Sequence, residues 1–80
     1  MRQNNSKLNL SELKKGEKGI IEKISRADVF LKLLDMGCVI GEEIQVQYIA
    51  PLGDPIAILV SGYTISLRIA EAKVIEIKRV

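Results

Sequence analysis

The chain has 80 residues, 48% hydrophobic and only 4% aromatic, with 12 basic and 10 acidic residues interspersed to a net charge of +2. That length allows one domain with a single core of branched aliphatics, and the dispersed charge lacks the basic stripe of a nucleic-acid binder. The lone Cys38 excludes an internal disulfide, and no apolar run reaches the length of a membrane span, which argues against direct membrane insertion.

Residues 1–8 are polar, lack the apolar core of a secretory signal, and are expected to form a flexible tail on a cytoplasmic protein whose domain spans 9–80. Leu10 and Leu13 bracket Ser11-Glu12, and Asn9 or Ser11 can cap one short helical turn there. The β-branched stretch from Gly19 to Ile24 reads as a strand. Gly16 and Gly19 at its entry suggest a turn or a bulge.

Asp28 to Met36 changes period. Phe30, Leu33 and Leu34 fall at helical spacing, Val29 and Met36 widen that face, and Lys32 and Asp35 lie off it. Ser25 or Asp28 is a candidate N-cap, and Gly37 is placed to end the helix in the left-handed conformation. Leu33 and Leu34 are expected in the core, with the helix covering one open end of a small sheet.

Beyond Gly41 the period is two. Ile44, Val46 and Tyr48 form one strand, Ile56, Ile58 and Val60 a second, and Tyr63, Ile65 and Leu67 a third. Ala70 to Lys73 suits a single helical turn, and Ile75 and Ile77 mark a last strand. Both prolines lie in the first hairpin. Pro51 fits position i+1 of a type I turn with Gly53 at i+3. Asp54 is expected to close an Asx turn, and Pro55 to open the next strand, where no amide donor is needed. Ser61-Gly62 makes a tighter hairpin. Together these elements predict a mainly β protein: a small, partly open SH3-like β-barrel of about five strands, with one short helix after the first strand.

Taken in order, Leu10-Ser11-Glu12-Leu13, Leu33-Leu34-Asp35-Met36-Gly37, Gly41, Ala50-Pro51-Leu52-Gly53-Asp54-Pro55-Ile56, Gly62-Tyr63-Thr64-Ile65-Ser66-Leu67-Arg68, Glu71-Ala72 and Ile75 resemble the FeoA family over residues 10–78. The resemblance implies an SH3-like barrel and a small cytosolic accessory of bacterial ferrous iron uptake. Its implied partner is the FeoB permease, through the permease's cytosolic GTP-binding domain. A related domain ends the iron-dependent repressors, so the alternative is a stand-alone effector or dimerisation module of that type. A helix-turn-helix ahead of the barrel would discriminate the two, and none is read in these residues. The chain departs from the family at Ile40, where Pro is common before the glycine, and at Val29-Phe30, where a basic pair is common.

The residues offer little chemistry of their own. There is no histidine, Cys38 has no second soft ligand nearby, and Glu42-Glu43 reads as a solvated strand start, so neither a metal site nor a cofactor is expected. No nucleophile stands beside a base, and Gly16-x-x-Gly19 lacks the lysine of a phosphate loop, so an enzyme is not expected. With Phe30 assigned to the helix core face, Tyr48 and Tyr63 are too few aromatics for a polyproline groove. The candidate partner surface is the hairpin tip Leu52-Gly53-Asp54 together with Arg68, because turn geometry explains Gly53 but not an apolar Leu52. Arg68 is otherwise expected to pair with Asp54 or Glu71. Charges at Lys23, Glu43 and Lys78, on strands taken as edges, predict a monomer or weak homodimer.

Overall fold

The computed structural model describes residues 8–80. The expected tail, apart from Leu8, lies outside the described residues. Leu8 itself opens a two-residue strand, β1 (Leu8–Asn9), too short to show as alternation in the sequence. A 3-10 turn follows at Leu10–Glu12, with Asn9 as its cap: the Asn9 side chain accepts from the Ser11 amide, and Glu12 answers by accepting from the Asn9 amide. This reciprocal box satisfies two otherwise orphaned donors and sinks Leu10 into the core.

The remaining elements are β2 (Lys18–Ile24), α1 (Ala27–Asp35), β3 (Glu43–Ile49), β4 (Ile56–Val60), β5 (Tyr63–Leu67), α2 (Ile69–Ala72) and β6 (Ile75–Arg79). All strand pairs are antiparallel, in one six-stranded sheet of order β1-β6-β2-β3-β4-β5. The mainly β architecture and the helix after the first long strand follow the sequence expectation; the added strand is β1.

Two bulges bend the sheet. In β2 the register shifts between Ile21 and Lys23, and in β3 between Val46 and Tyr48. Each places one extra residue in a strand, which coils the sheet and resets its alternation. Ile44 and Val46 therefore point inward, while Gln47 and Tyr48 both point out. Tyr48 is accordingly half exposed, at 51%, and leaves the inner row to which alternation assigns it.

The inner face closes over an aliphatic core. Leu10, Ile21, Val29, Leu33, Ile44, Ile58, Leu67 and Ile75 are among its fully buried members, drawn from both helical and strand elements. Helix α1 contributes Val29 and Leu33. Phe30 is only partly buried, whereas Leu34 and Met36 are exposed. The helix thus docks along a narrower stripe than its apolar content suggests. Neither Ser25 nor Asp28 caps it: Arg26 takes the cap position, without a side-chain cap, and its guanidinium Nε lies 3.0 Å from Asp28 Oδ1. Gly37 does end it with φ +79°, a conformation costly for residues bearing a Cβ.

Gly19 is neither turn nor bulge. It sits within β2, paired with Arg79 of β6 and Ile44 of β3, where the Ile77 side chain and the Lys78 carbonyl leave no room for a Cβ. Lys23, Glu43 and Lys78 also change standing, because β2, β3 and β6 are interior strands. The sheet's edges are β1 and β5.

Candidate functional site

The hairpin joining β3 to β4 turns at Pro51 as expected, while Pro55 stands one residue ahead of β4, which opens at Ile56. The Gly53 amide donates to the Ala50 carbonyl at 2.7 Å, closing the turn around Pro51-Leu52, and Gly53 has φ +88°. The Ala50 amide donates to the Pro55 carbonyl, so the ladder continues to the strand start. Leu52 stands at the tip with 96% of its surface exposed, more than any other large apolar side chain among the described residues.

Asp54 does not close a local Asx turn. Its Oδ1 accepts the Ile69 amide at 3.1 Å, at the first residue of α2. The carboxylate meets one of the amides that a helix start leaves unpaired, and so joins the hairpin to the segment after β5. Pattern reading missed this because the partner is 15 residues away.

Arg68 lies immediately before α2 and beside Asp54 on one groove. The groove, of about 330 Å³, is lined by Lys32, Asp54, Pro55, Ser66, Leu67 and Arg68. The expected ion pair of Arg68 with Asp54 or Glu71 does not form. Glu71 is taken by Lys32, whose Nζ lies 3.0 Å from both carboxylate oxygens, and by the Arg68 amide at 2.9 Å. That amide, and then the Lys32 ammonium, hold the Glu71 carboxyl below the usual carboxylate range against the opposing effect of burial. The Arg68 guanidinium is exposed and, among the described residues, has no acidic partner.

Of the four candidate residues, the fold therefore brings Asp54 and Arg68 together and leaves Leu52 and Gly53 on the adjoining tip. Lys32 is the addition. It appeared only as a polar residue off the core face, and its pairing across 39 residues has no local signature.

The other chemistry-bearing residues are dispersed. Glu42 Oε1 accepts the Ser61 hydroxyl at 2.7 Å, while Glu43 faces Lys18 at 3.8 Å. Among the described residues no three His, Cys, Asp or Glu side chains gather as a metal site. Nor is any helix among them long and apolar enough to cross a membrane. Tyr63 lies at the barrel rim, its hydroxyl so near Gly37 that a Cβ there would stand 3.1 Å away. Cys38 is buried at 1% exposure. Burial, with the Glu42 charge adding to it, pushes its thiol up to about 11 from its ordinary 9.0. The group favours the fold while the unfolded thiol stays protonated, below pH 9.0, and that contribution is lost as pH rises towards 11. At neutral pH a maleimide is expected to leave the native protein unmodified and to label it only in denaturant, as mass spectrometry will show. Labelling of the native protein would contradict the burial.

A small aliphatic-cored barrel of antiparallel strands with one helix after its first long strand belongs to the class of SH3-like domains. The FeoA domain family model matches residues 8–79, and the chain belongs to the FeoA family. It is 39% identical over 72 residues to the Fe(2+) transport protein A/Fe(2+) transporter FeoB fusion protein of Porphyromonas gingivalis. That match covers 89% of this chain, which spans only 8% of the length of that curated relative.

Among solved structures, the FeoA-like protein of Clostridium acetobutylicum has 37% identity and a TM-score of 0.82, with 96% of this chain and 91% of that one covered. The FeoA of Stenotrophomonas maltophilia, solved in complex with zinc and described as a procaryotic SH3 domain protein, has 29% identity and a TM-score of 0.75, with 89% of each chain covered. A manganese-dependent transcriptional repressor shares the fold at a TM-score of 0.84 but only 19% identity, over 96% of this chain and 38% of the repressor.

Proposed function

We propose that this protein is a cytoplasmic accessory of bacterial ferrous iron uptake that binds the cytosolic GTP-binding part of a FeoB-type permease and tunes Fe(II) transport. The observation that carries this reading is the Porphyromonas gingivalis relative, in which a domain like this one shares a chain with a FeoB transporter. Covalent fusion raises the effective concentration of one module at the other and is productive only where the two engage. The protein acts on the permease and does not itself carry the ion.

Leu52 is the anchor of the contact, with Gly53 shaping it and Asp54 and Arg68 beside it. An apolar side chain with 96% exposure gains by burial against a partner. Leu52→Ala is expected to leave thermal melting unchanged, because a tip residue loses little on truncation. It is expected to weaken binding to the permease's cytosolic domain by more than about 1 kcal/mol. Titration calorimetry with the isolated cytosolic domain, with and without guanine nucleotide, reads both the interaction and the loss. No binding by the unaltered protein would overturn the proposed partner. Binding unchanged by Leu52→Ala would overturn only the proposed surface.

A further inference from the structure

The edges of the sheet are treated differently. Among the described residues edge β1 is two residues long, a length that offers little to an incoming strand. Edge β5 is a full five residues, Tyr-Thr-Ile-Ser-Leu, and carries no charge, proline or bulge. Its residues also favour strands. An edge so constituted pairs readily with another chain unless something covers it.

Its hydrogen-bond pattern follows from the hairpin. Ser61 and Gly62, both at positive φ, form a two-residue loop, and Val60 pairs with Tyr63. The residues flanking such a loop exchange both main-chain bonds, and the pattern then alternates. Tyr63, Ile65 and Leu67 therefore bond to β4, while the amides and carbonyls of Thr64 and Ser66 point away from the sheet. Among the described residues nothing pairs with them. One position further, the Arg68 amide is already met by the Glu71 carboxylate. The groove at this end of the edge is lined by Lys32, Asp54, Pro55, Ser66, Leu67 and Arg68, and its one carboxylate, on Asp54, is already engaged by the Ile69 amide.

We infer that the free edge of β5 takes up an extended acidic peptide segment of a partner as an added strand, with a carboxylate of that segment on Arg68. Main-chain bonds to Thr64 and Ser66 supply the register, and the side chain at Arg68 supplies the selectivity. A second copy of this chain fits less well, since a partner β5 has no acidic residue to bring to Arg68. The inference concerns a surface other than the Leu52 tip and does not require that the partner be a permease.

The test uses the whole chain and an acetylated, amidated probe peptide of alternating valine and threonine with a single glutamate. Amide hydrogen exchange is followed by NMR. On adding probe, exchange is expected to slow at Thr64 and Ser66. Arg68→Gln is expected to weaken the probe about two- to fivefold, as loss of an exposed ion pair does. A glutamine probe should bind the unaltered protein and Arg68→Gln alike. Ser66→Pro removes an outward donor at an edge position where proline is tolerated, and should abolish binding. Should that variant not fold, a probe N-methylated at alternate residues makes the same cut on the unaltered protein.

Absence of slowed exchange at Thr64 and Ser66, or equal binding of the N-methylated probe, would overturn strand addition. Equal affinity of glutamate and glutamine probes for the unaltered protein would overturn the acidic partner. Slowed exchange at the same amides that rises with protein concentration, without probe, would assign the edge to a second copy and overturn the inference.

Discussion

Leu33→Ala is expected to destabilise the domain by about 2–5 kcal/mol, the range for removing a buried leucine side chain and leaving part of its volume empty. Leu33 has no exposed surface and packs in the core beneath α1. The adjacent Leu34 is 44% exposed, and Leu34→Ala is expected to fall near the roughly 0.5 kcal/mol scale of surface changes. A domain of this size has about 5–15 kcal/mol in total at most, so the first variant stands to lose a large share of its stability and the second little. Urea denaturation midpoints on the pair separate the two. An unchanged midpoint for Leu33→Ala would show that α1 is not docked on the barrel; equal losses would show that the helix is rotated from the orientation described.

That pair also marks how far sequence reading reaches. The period-three-and-four spacing of Val29, Phe30, Leu33 and Leu34 is enough to place α1. It is not enough to divide the apolar face, because the width of the buried stripe is set by what the helix lies on. Strand β4, with no bulge between Ile56 and Val60 on its β5 side, buries the alternating residues that its pattern nominated. Strand β3 does so only as far as Val46; the bulge then turns Tyr48 outward. The residues at that bulge are ordinary strand formers, and the extra residue is visible only once β4 is laid beside it.

The candidate site divides in the same manner. The turn at Pro51–Gly53 is local chemistry and could be read directly, since proline at i+1 and glycine at positive φ leave few alternatives. The Asp54 to Ile69 bond, the Lys32 to Glu71 pair and the resulting freedom of Arg68 depend on three segments meeting in space. None has a spacing rule to reveal it. The edges are illegible for a related reason: charges on β2, β3 and β6 suggest protected edges, but the strand order places all three inside the sheet.

Gly19→Ala is expected to destabilise the protein by about 1–3 kcal/mol or more, although the replacement adds only one methyl group. Gly19 is buried between two neighbouring strands. A Cβ built there would overlap Ile77 Cγ2 and stand 3.2 Å from the Lys78 carbonyl oxygen. The carbonyl belongs to the backbone of β6, and Ile77 is itself only 3% exposed, so neither neighbour can move freely. Alanine also narrows the unfolded ensemble, worth about 0.4–1 kcal/mol in the opposite direction, but the overlap is the larger effect. If overlap with Ile77 is the cause, removing the obstructing methyl should recover part of the loss. The double variant Gly19→Ala/Ile77→Ala is therefore expected to be more stable than the sum of the single changes predicts, by about 0.5–3 kcal/mol. Denaturant titration of the four proteins measures that coupling. An additive result would place the strain on the Lys78 carbonyl and the β6 backbone, and a Gly19→Ala protein as stable as the original would mean that β2 and β6 do not approach so closely.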